Sequence, residues 1–490
     1  MTVFKTGWPI SRIGTVLVLV IVVAGTLLTI ELRRRHKLYW YDVSQSYEFS
    51  FTGRVASVPV EISPDGFVFP EATASWDTAL LRLHVSSTWA GRWSEPSVAI
   101  GTGREVDRQF FERGAEGARY LVLTPEVARP GESVRLHGNH LRWPVQRSEL
   151  LLFGNAAPAA GRVLVLAPHP DDAEIAAFGL YSSHDSFVVT ITAGNYVDGR
   201  YAHLVSDDHK EDTLKAHVRT WDSLVVPSWG GVPPDRTANL GYLGTSLDRL
   251  YAERHEARAD HRPSDPRFGL YRRGAIGALL EGRKAAPTWT SLVEDLATLV
   301  RTVRPSIVVA PHPILDGGVD HALTTTALLE ALQRPGGEDV TLLLYTNHHP
   351  LSEYFPFGPA DSTVTLPPWF DATVSFGGIY SHRLDADRQL DKLFALDAMH
   401  DLRAAPRRLL GTPEHRFVLR FGESVADLLR DPVADHSYYR RAVRPNELFF
   451  VYAPADRAAL GIRDRRDTRT GSRNGRAETR RASTIGTVPR

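Results

Sequence analysis

The chain runs through four textures of hydrophobic and polar positions. Residues 13–30 (IGTVLVLVIVVAGTLLTI) carry no charge over 18 positions, about the length that crosses a ~30 Å hydrocarbon layer. From Leu38 to Asn155 the apolar runs are short and broken by Pro, Gly and Asp. Tyr47-Glu48-Phe49-Ser50-Phe51 alternates strictly, the period of a half-buried strand. Residues 80–85, 119–123 and 133–136 are strand-like as well, and without a long 3.6-residue period among them a β-sandwich is predicted. After Gly161 the runs become continuously apolar. Val163-Leu164-Val165-Leu166-Ala167, then 187–191, 306–310 and 340–345, read as strands covered on both faces. Helix-period segments 211–224, 290–303 and 324–333 lie between them, and this alternation predicts an α/β domain around a mostly parallel, Rossmann-like sheet.

The expected organisation is a membrane anchor (1–37), a β-sandwich (38–158), an α/β domain (159–455) and a tail (456–490). Within the α/β domain, 245–290 is rich in Arg, Asp, Gly and Pro and reads as an insertion or lid. The stretch from Arg457 to Arg490 holds ten arginines against two aspartates and one glutamate. With so few large apolar residues it reads as a disordered basic tail.

Charge and composition then narrow the classes. The 490 residues carry 57 Lys+Arg and 57 Asp+Glu, so the basic excess of a nucleic-acid binder is missing and no nucleic-acid partner is expected. There is no cysteine, which excludes disulfides, thiolate metal sites and a Cys nucleophile. The uncharged run leads into Glu31-Leu32-Arg33-Arg34-Arg35-His36-Lys37 with no A-x-A pattern. This favours an uncleaved anchor over a cleaved signal or a buried core helix. The expectation is a single-pass membrane protein, of a bacterial inner membrane on its Arg-rich, Lys-poor usage. Four basic residues after the run against Lys5 and Arg12 before it lean toward a cytoplasmic C-terminal portion, and the side stays open. In the sandwich, Trp89 and Trp93 would suit a glycan surface, although packing in the core is the commoner fate of tryptophan.

Two apolar strands end alike, in Ala167-Pro168-His169-Pro170 and Ala310-Pro311-His312-Pro313. Sites in open α/β sheets form beyond the carboxyl ends of the strands. The first string continues Asp171-Asp172-Ala173-Glu174; the second passes a flexible Asp316-Gly317-Gly318-Val319 stretch to Asp320-His321. A histidine near a strand end is ordinarily just hydrogen-bonded, and Asp-Asp is a common cap. The whole string is more specific. Carboxylates packed beside a histidine ask for a compensating cation, and His169, Asp172 and His321 make a two-His, one-carboxylate set with open positions for water and substrate. Asp171, next to a ligand, is placed to take a proton from a metal-activated water.

The string resembles the first motif of the metal-dependent de-N-acetylases of the PIG-L/LmbE type, a strand followed by His-Pro-Asp-Asp, and positions 166–179 match it closely. Thr192-Ala193-Gly194, Arg219 with Asp222, Gly230-Gly231, Leu240-Gly241-Tyr242, Asp320-His321, Asp371-Ala372-Thr373, and Lys392 to Leu396 with His400 are similar to its later pieces in order, over about 161–402. The resemblance implies an LmbE-like fold, a zinc ion (or another divalent cation) on His169, Asp172 and His321, Asp171 as general base, and substrate contacts from Arg219 and Asp320. It also implies hydrolysis of an acetamide on an N-acetylated amino sugar such as N-acetylglucosamine. The anchor and sandwich add the expectation of a lipid-linked or polymeric glycan. Two departures stand out. The family's second motif carries a histidine where this chain has Gly318, so His312 is expected to take over stabilisation of the oxyanion; and the family's Ser-Gln after the late histidine is replaced by Asp401-Leu402.

Two other readings compete. A two-His, one-carboxylate set also serves non-haem iron oxygenases, but those place it in a closed β-fold, not on a strand-to-helix loop. The missing histidine at Gly318 favours a catalytically inactive, membrane-tethered glycan-binding protein that keeps the scaffold.

Overall fold

The computed structural model describes residues 14–15, 17–23, 25–26, 38–71, 75–102, 107–155, 161–196, 200–201, 204–205, 207–254, 267–403 and 437–460. The described parts of the 13–30 run are helical, and Leu17 to Val23 are exposed. Among the described residues no helix is long and apolar enough to cross a membrane, so the expected transmembrane helix is not seen. The rest of the run, residues 27–37 and the tail from 461 onward fall outside the described residues.

Ten strands precede the α/β part: β1 Ser50–Phe51, β2 Val55–Ile62, β3 Gly66–Val68, β4 Thr78–Ser87, β5 Ser97–Gly101, β6 Asp107–Phe110, β7 Glu116–Leu123, β8 Ser133–Asn139, β9 Leu141–Arg142 and β10 Gln146–Phe153. The nine strands β2 to β10 form two antiparallel sheets, β2-β10-β4-β7 (with β9 on β4) and β3-β8-β5-β6. Alternation along β8, with Val134 and Leu136 in and Ser133, Arg135 and His137 out, is the period-2 pattern of a strand with one wet face. The inward residues of both sheets, among them Leu81, Leu83, Val98, Leu121, Val134 and Leu150, close one apolar core, a sandwich. The segment 47–51 does not join it. β1 pairs in parallel with β17 (Ser375–Phe376) of the α/β part, and Leu38 and Tyr39 pack on Tyr354, Phe355 and Phe357. Trp89 and Trp93 are 77% and 42% exposed, not packed in the core.

The second part carries β11 Arg162–Ala167, β12 Asp185–Thr192, β13 Thr237–Tyr242, β14 Arg273–Gly274, β15 Ile307–Pro311, β16 Thr341–Tyr345, β17, β18 Gly378–Arg383 and β19 Asn446–Tyr452. Apart from β17 they form one sheet in the order β14-β13-β12-β11-β15-β16-β19-β18. The five central strands are parallel, while β14, β19 and β18 pair antiparallel at the edges. The fold is therefore mixed α/β, and the sheets taken together are not mostly parallel as expected. The apolar run of β11 is explained by its two covered faces. Val163 and Val165 join Ala173, Phe178 and Val309 on one side; Leu164 and Leu166 join Leu292, Leu296 and Leu328 on the other.

The expected helices correspond to Asp208–Val225, Trp289–Val303 and Val319–Leu332. Asp207 and Thr288 cap the first two, accepting from Lys210 N and Ser291 N, which satisfies backbone donors left over at a helix start. The described part of 245–290 packs against the domain: Leu247, Leu250, Phe268, Leu279 and Leu280 are buried in the same cluster as the sheet, and β14 pairs with β13. The sandwich docks on this core through Leu80, Tyr120, Val122 and Phe153.

Candidate metal centre

At the carboxyl end of β11, Pro168 and Pro170 hold His169 on a short loop into the helix Asp172–Ser182. Asp171 caps that helix at φ 117°, a conformation that costs a non-glycine residue of order 1–3 kcal/mol and persists where the surroundings impose it. Three hydrogen bonds impose it here. Asp172 Oδ2 accepts from His169 N at 2.9 Å, and Arg219 donates to Pro170 O at 2.6 Å and Asp171 Oδ2 at 3.0 Å. At the end of the neighbouring β15, the chain turns through Asp316-Gly317-Gly318 into the helix Val319–Leu332, whose first turn presents His321.

The two loops converge. His169 Nδ1 lies 3.3 Å from Asp172 Oδ2, His321 Nε2 lies 3.2 Å from the same oxygen, and the two ring nitrogens are 3.2 Å apart. The three form a group able to hold a metal ion. Tetrahedral bonds of ~2.0–2.1 Å to nitrogen and oxygen put neighbouring donor atoms about 3.3–3.4 Å apart, so this near-equilateral triangle has the size of one face of such a shell. The outward nitrogens face carboxylates. His169 Nε2 is 3.2 Å from Asp320 Oδ2, and His321 Nδ1 is 3.1 Å from Asp316 Oδ1, the latter off the ideal hydrogen-bond angle. A carboxylate behind an imidazole fixes the ring so that its inner nitrogen offers a lone pair.

Burial by itself disfavours charge on both rings, but Asp172 and Asp320 around His169, and Asp172 and Asp316 around His321, outweigh it and raise both above the ordinary histidine range. The donor set thus favours positive charge between the rings, and a divalent cation fits it. Asp172 is itself held well below the usual carboxylate range by the two histidines, against its burial. Asp171 is pushed up to about 7, chiefly by burial, with Arg219 pulling the other way.

The remaining expected residues lie elsewhere. Asp320 does not face outward: its Oδ2 is shared by His169 and the backbone N–H of Thr245 at 2.8 Å. Arg219 is buried and spans Asp171, Pro170 O, Gly194 O and Asp401, so it secures the Asp171 loop. His312 does not join the group. It is fully buried, its Nδ1 accepts from Ile314 N and Leu315 N, its Nε2 meets Tyr452 OH at 3.0 Å, and its ring packs on Phe376 and Phe450. Burial lowers it to about 3, so the expectation that it steadies an oxyanion is corrected. Glu174 turns away and accepts from Tyr181 OH.

Four contributors escaped the sequence reading. Asp316, taken there as part of a flexible stretch, is buried and accepts from the N–H groups of Gly318, Asn347 and His348. Asn347 Nδ2 donates to Asp172 Oδ1 at 2.8 Å. His348 lies with its ring 5.1 Å from that of His321. Asp401 accepts from Arg219 at 2.9 Å. The signal for Asn347 and His348 was present: the run 340–345 is as apolar as β11 and ends at the same sheet edge. Gly318 has a local reason too. A Cβ there would sit 2.8 Å from His321 Cδ2, so a side chain at 318 would displace that ring.

The chain matches no family model and no curated protein. Among solved structures it is similar to the A40926 pseudoaglycone deacetylase Dbv21 (15% identity, 60% of this chain and 97% of that one, TM-score 0.33). It is also similar to the zinc-inhibited form of teicoplanin deacetylase Orf2 (16%, 60% and 98%, TM-score 0.31) and to the 4-carboxy-2-hydroxymuconate hydratase GalB of Pseudomonas putida KT2440 (15%, 49% and 78%, TM-score 0.27). Likenesses at these TM-scores decide neither fold nor chemistry, which rest on the geometry above.

Proposed function

We propose that the chain is a metal-dependent hydrolase that removes the acetyl group from an N-acetylated amino sugar, in a lipid-linked or polymeric glycan. The observation that carries the hydrolase reading is the triangle of His169 Nδ1, Asp172 Oδ2 and His321 Nε2, with a second carboxylate, Asp171, next in the chain to Asp172 and held by Arg219. The acetamide and the sugar come from the sequence resemblance, and the lipid-linked or polymeric context from the apolar run 13–30 and the sandwich.

A divalent cation on these three residues would polarise the amide carbonyl and acidify a water. Asp171 does the proton work. Arg219 holds its Oδ2, and Oδ1, without a hydrogen-bond partner among the described residues, takes the proton of the attacking water. As water oxygen bonds to the carbonyl carbon and the C–N bond breaks, that proton passes to the leaving nitrogen, giving acetate and an amine. His348 supplies the imidazole that position 318 lacks. It is half-buried, and among the described residues its ring nitrogens accept or donate no hydrogen bond, so one N–H is free for the amide oxygen as charge develops there. This weakens the inactive-scaffold reading, which rested on Gly318.

The test is acetate release from a panel of N-acetylated monosaccharides and oligosaccharides with and without chelator. Chelator-sensitive release from at least one of them is expected. Release that survives chelation, or none from any member by the metal-loaded protein, overturns the proposal.

A further inference from the structure

A second recess shares no lining residue with the metal group. It is a cleft of about 310 Å³ where the outer face of the sheet β2-β10-β4-β7 meets residues 48–51 and Ala372. Val55, Leu151, Arg82 and Tyr120 come from the four strands, and Glu48, Phe49, Phe51 and Glu149 stand around them. Arg82 is directly opposite Tyr120 across β4 and β7. Phe49 stacks on Phe51 at 6.1 Å and meets Tyr120 edge-on at 5.7 Å, so one wall is aromatic.

The charges decide what suits it. Arg82 Nε is out of contact with water and has no hydrogen-bond partner among the described residues. Among the same residues neither Arg82 nor Glu48 nor Glu149 forms an ion pair. Three polar side chains, Arg82, Glu48 and Glu149, around one gap match a ligand that both donates and accepts. An anion would meet two carboxylates and a simple cation would meet the guanidinium. A purely apolar guest would strip water from all three without replacing its hydrogen bonds.

We propose that this cleft binds one pyranose unit of a glycan. The C–H face of the sugar ring lies on Phe49 and Phe51, its hydroxyls donate to Glu48 and Glu149, and a ring or hydroxyl oxygen accepts from Arg82. Binding here needs no metal and does not depend on the hydrolase reading.

Calorimetric titration of the full chain with cellohexaose, maltohexaose and chitohexaose, in chelator, tests it. At least one hexamer binds at millimolar concentration or tighter, and both Arg82→Gln and Glu149→Gln weaken it by about tenfold while acetate release from a monosaccharide is unchanged. Absence of binding by all three hexamers, or equal binding by wild type and both variants, overturns the cleft. Loss of acetate release with chelator-resistant hexamer binding intact would overturn only the hydrolase.

Discussion

Asp316 Oδ1 lies 3.1 Å from His321 Nδ1, on the side of the ring away from His169 and Asp172. Asp320 Oδ2 holds the corresponding place 3.2 Å from His169 Nε2. Each imidazole is thus gripped from behind by a buried carboxylate. Asp316→Asn and Asp320→Asn keep the shape but remove the charge, and each is expected to weaken divalent-ion binding by ~10–100-fold. Competition against a chelating dye measures this; wild-type affinity in both variants would mean the carboxylates do not tune the ligands.

Asp171 is the residue whose loss should separate chemistry from binding. It contributes no atom to the triangle, and its carboxylate is held by Arg219 at 3.0 Å. Asp171→Asn is expected to lower turnover by ~10²–10⁴ with metal content unchanged. Wild-type turnover in this variant would remove Asp171 from the role of base.

His348 gives a third handle. Its ring contacts His321 and Tyr438 and is not among the three donors. His348→Gln should lower kcat by ~10²–10³ while leaving metal binding and KM close to wild type. A rise in KM at constant kcat would show that the ring only holds substrate.

The burial of His312, which lies outside the three-residue metal group, predicts a pH dependence of stability. Burial holds it at about 3 in the folded chain, and its Nδ1 accepts two backbone N–H groups, so folding requires the neutral ring. An unfolded histidine titrates near ~6.5. Between these values the unfolded state binds the extra proton, so the contribution is complete above ~6.5 and is lost as pH falls toward 3, by ~1.4 kcal/mol per pH unit. Urea unfolding from pH 7 to 4.5 reads the slope. In His312→Asn, whose side-chain oxygen is able to accept from the same N–H groups, the slope should be shallower by about one proton; an unchanged slope contradicts the assignment.

Much of the architecture was legible because it follows from local pattern. The apolar runs of β11, β15 and β16 and the Pro-His-Pro string marked both the sheet and the edge where polar groups gather. What was not legible depended on residues far away in sequence. His169 and His312 sit in the same string, yet one reaches His321 and the other is enclosed by Phe376, Phe450 and Tyr452. The alternation of residues 47–51 marked a segment that bridges the two parts: Tyr47 N donates to Ala118 O of β7, while Ser50 and Phe51 pair with Ser375–Phe376. Asp316 lies in a glycine-rich stretch that looks mobile until Asn347 and His348 from β16's end tie it down. The antiparallel strand β19 carries the same apolar texture, Leu448 to Tyr452, as the parallel strands, so direction could not be read from composition.

The most direct measurement is the divalent-ion content of the purified full chain by elemental mass spectrometry after equilibration with zinc. The account predicts about one ion per chain in wild type and in Asp171→Asn, and essentially none in His169→Ala or His321→Ala with the fold intact by circular dichroism. A wild-type chain that retains no ion, or histidine variants that retain it fully, would contradict a metal centre built on these two loops.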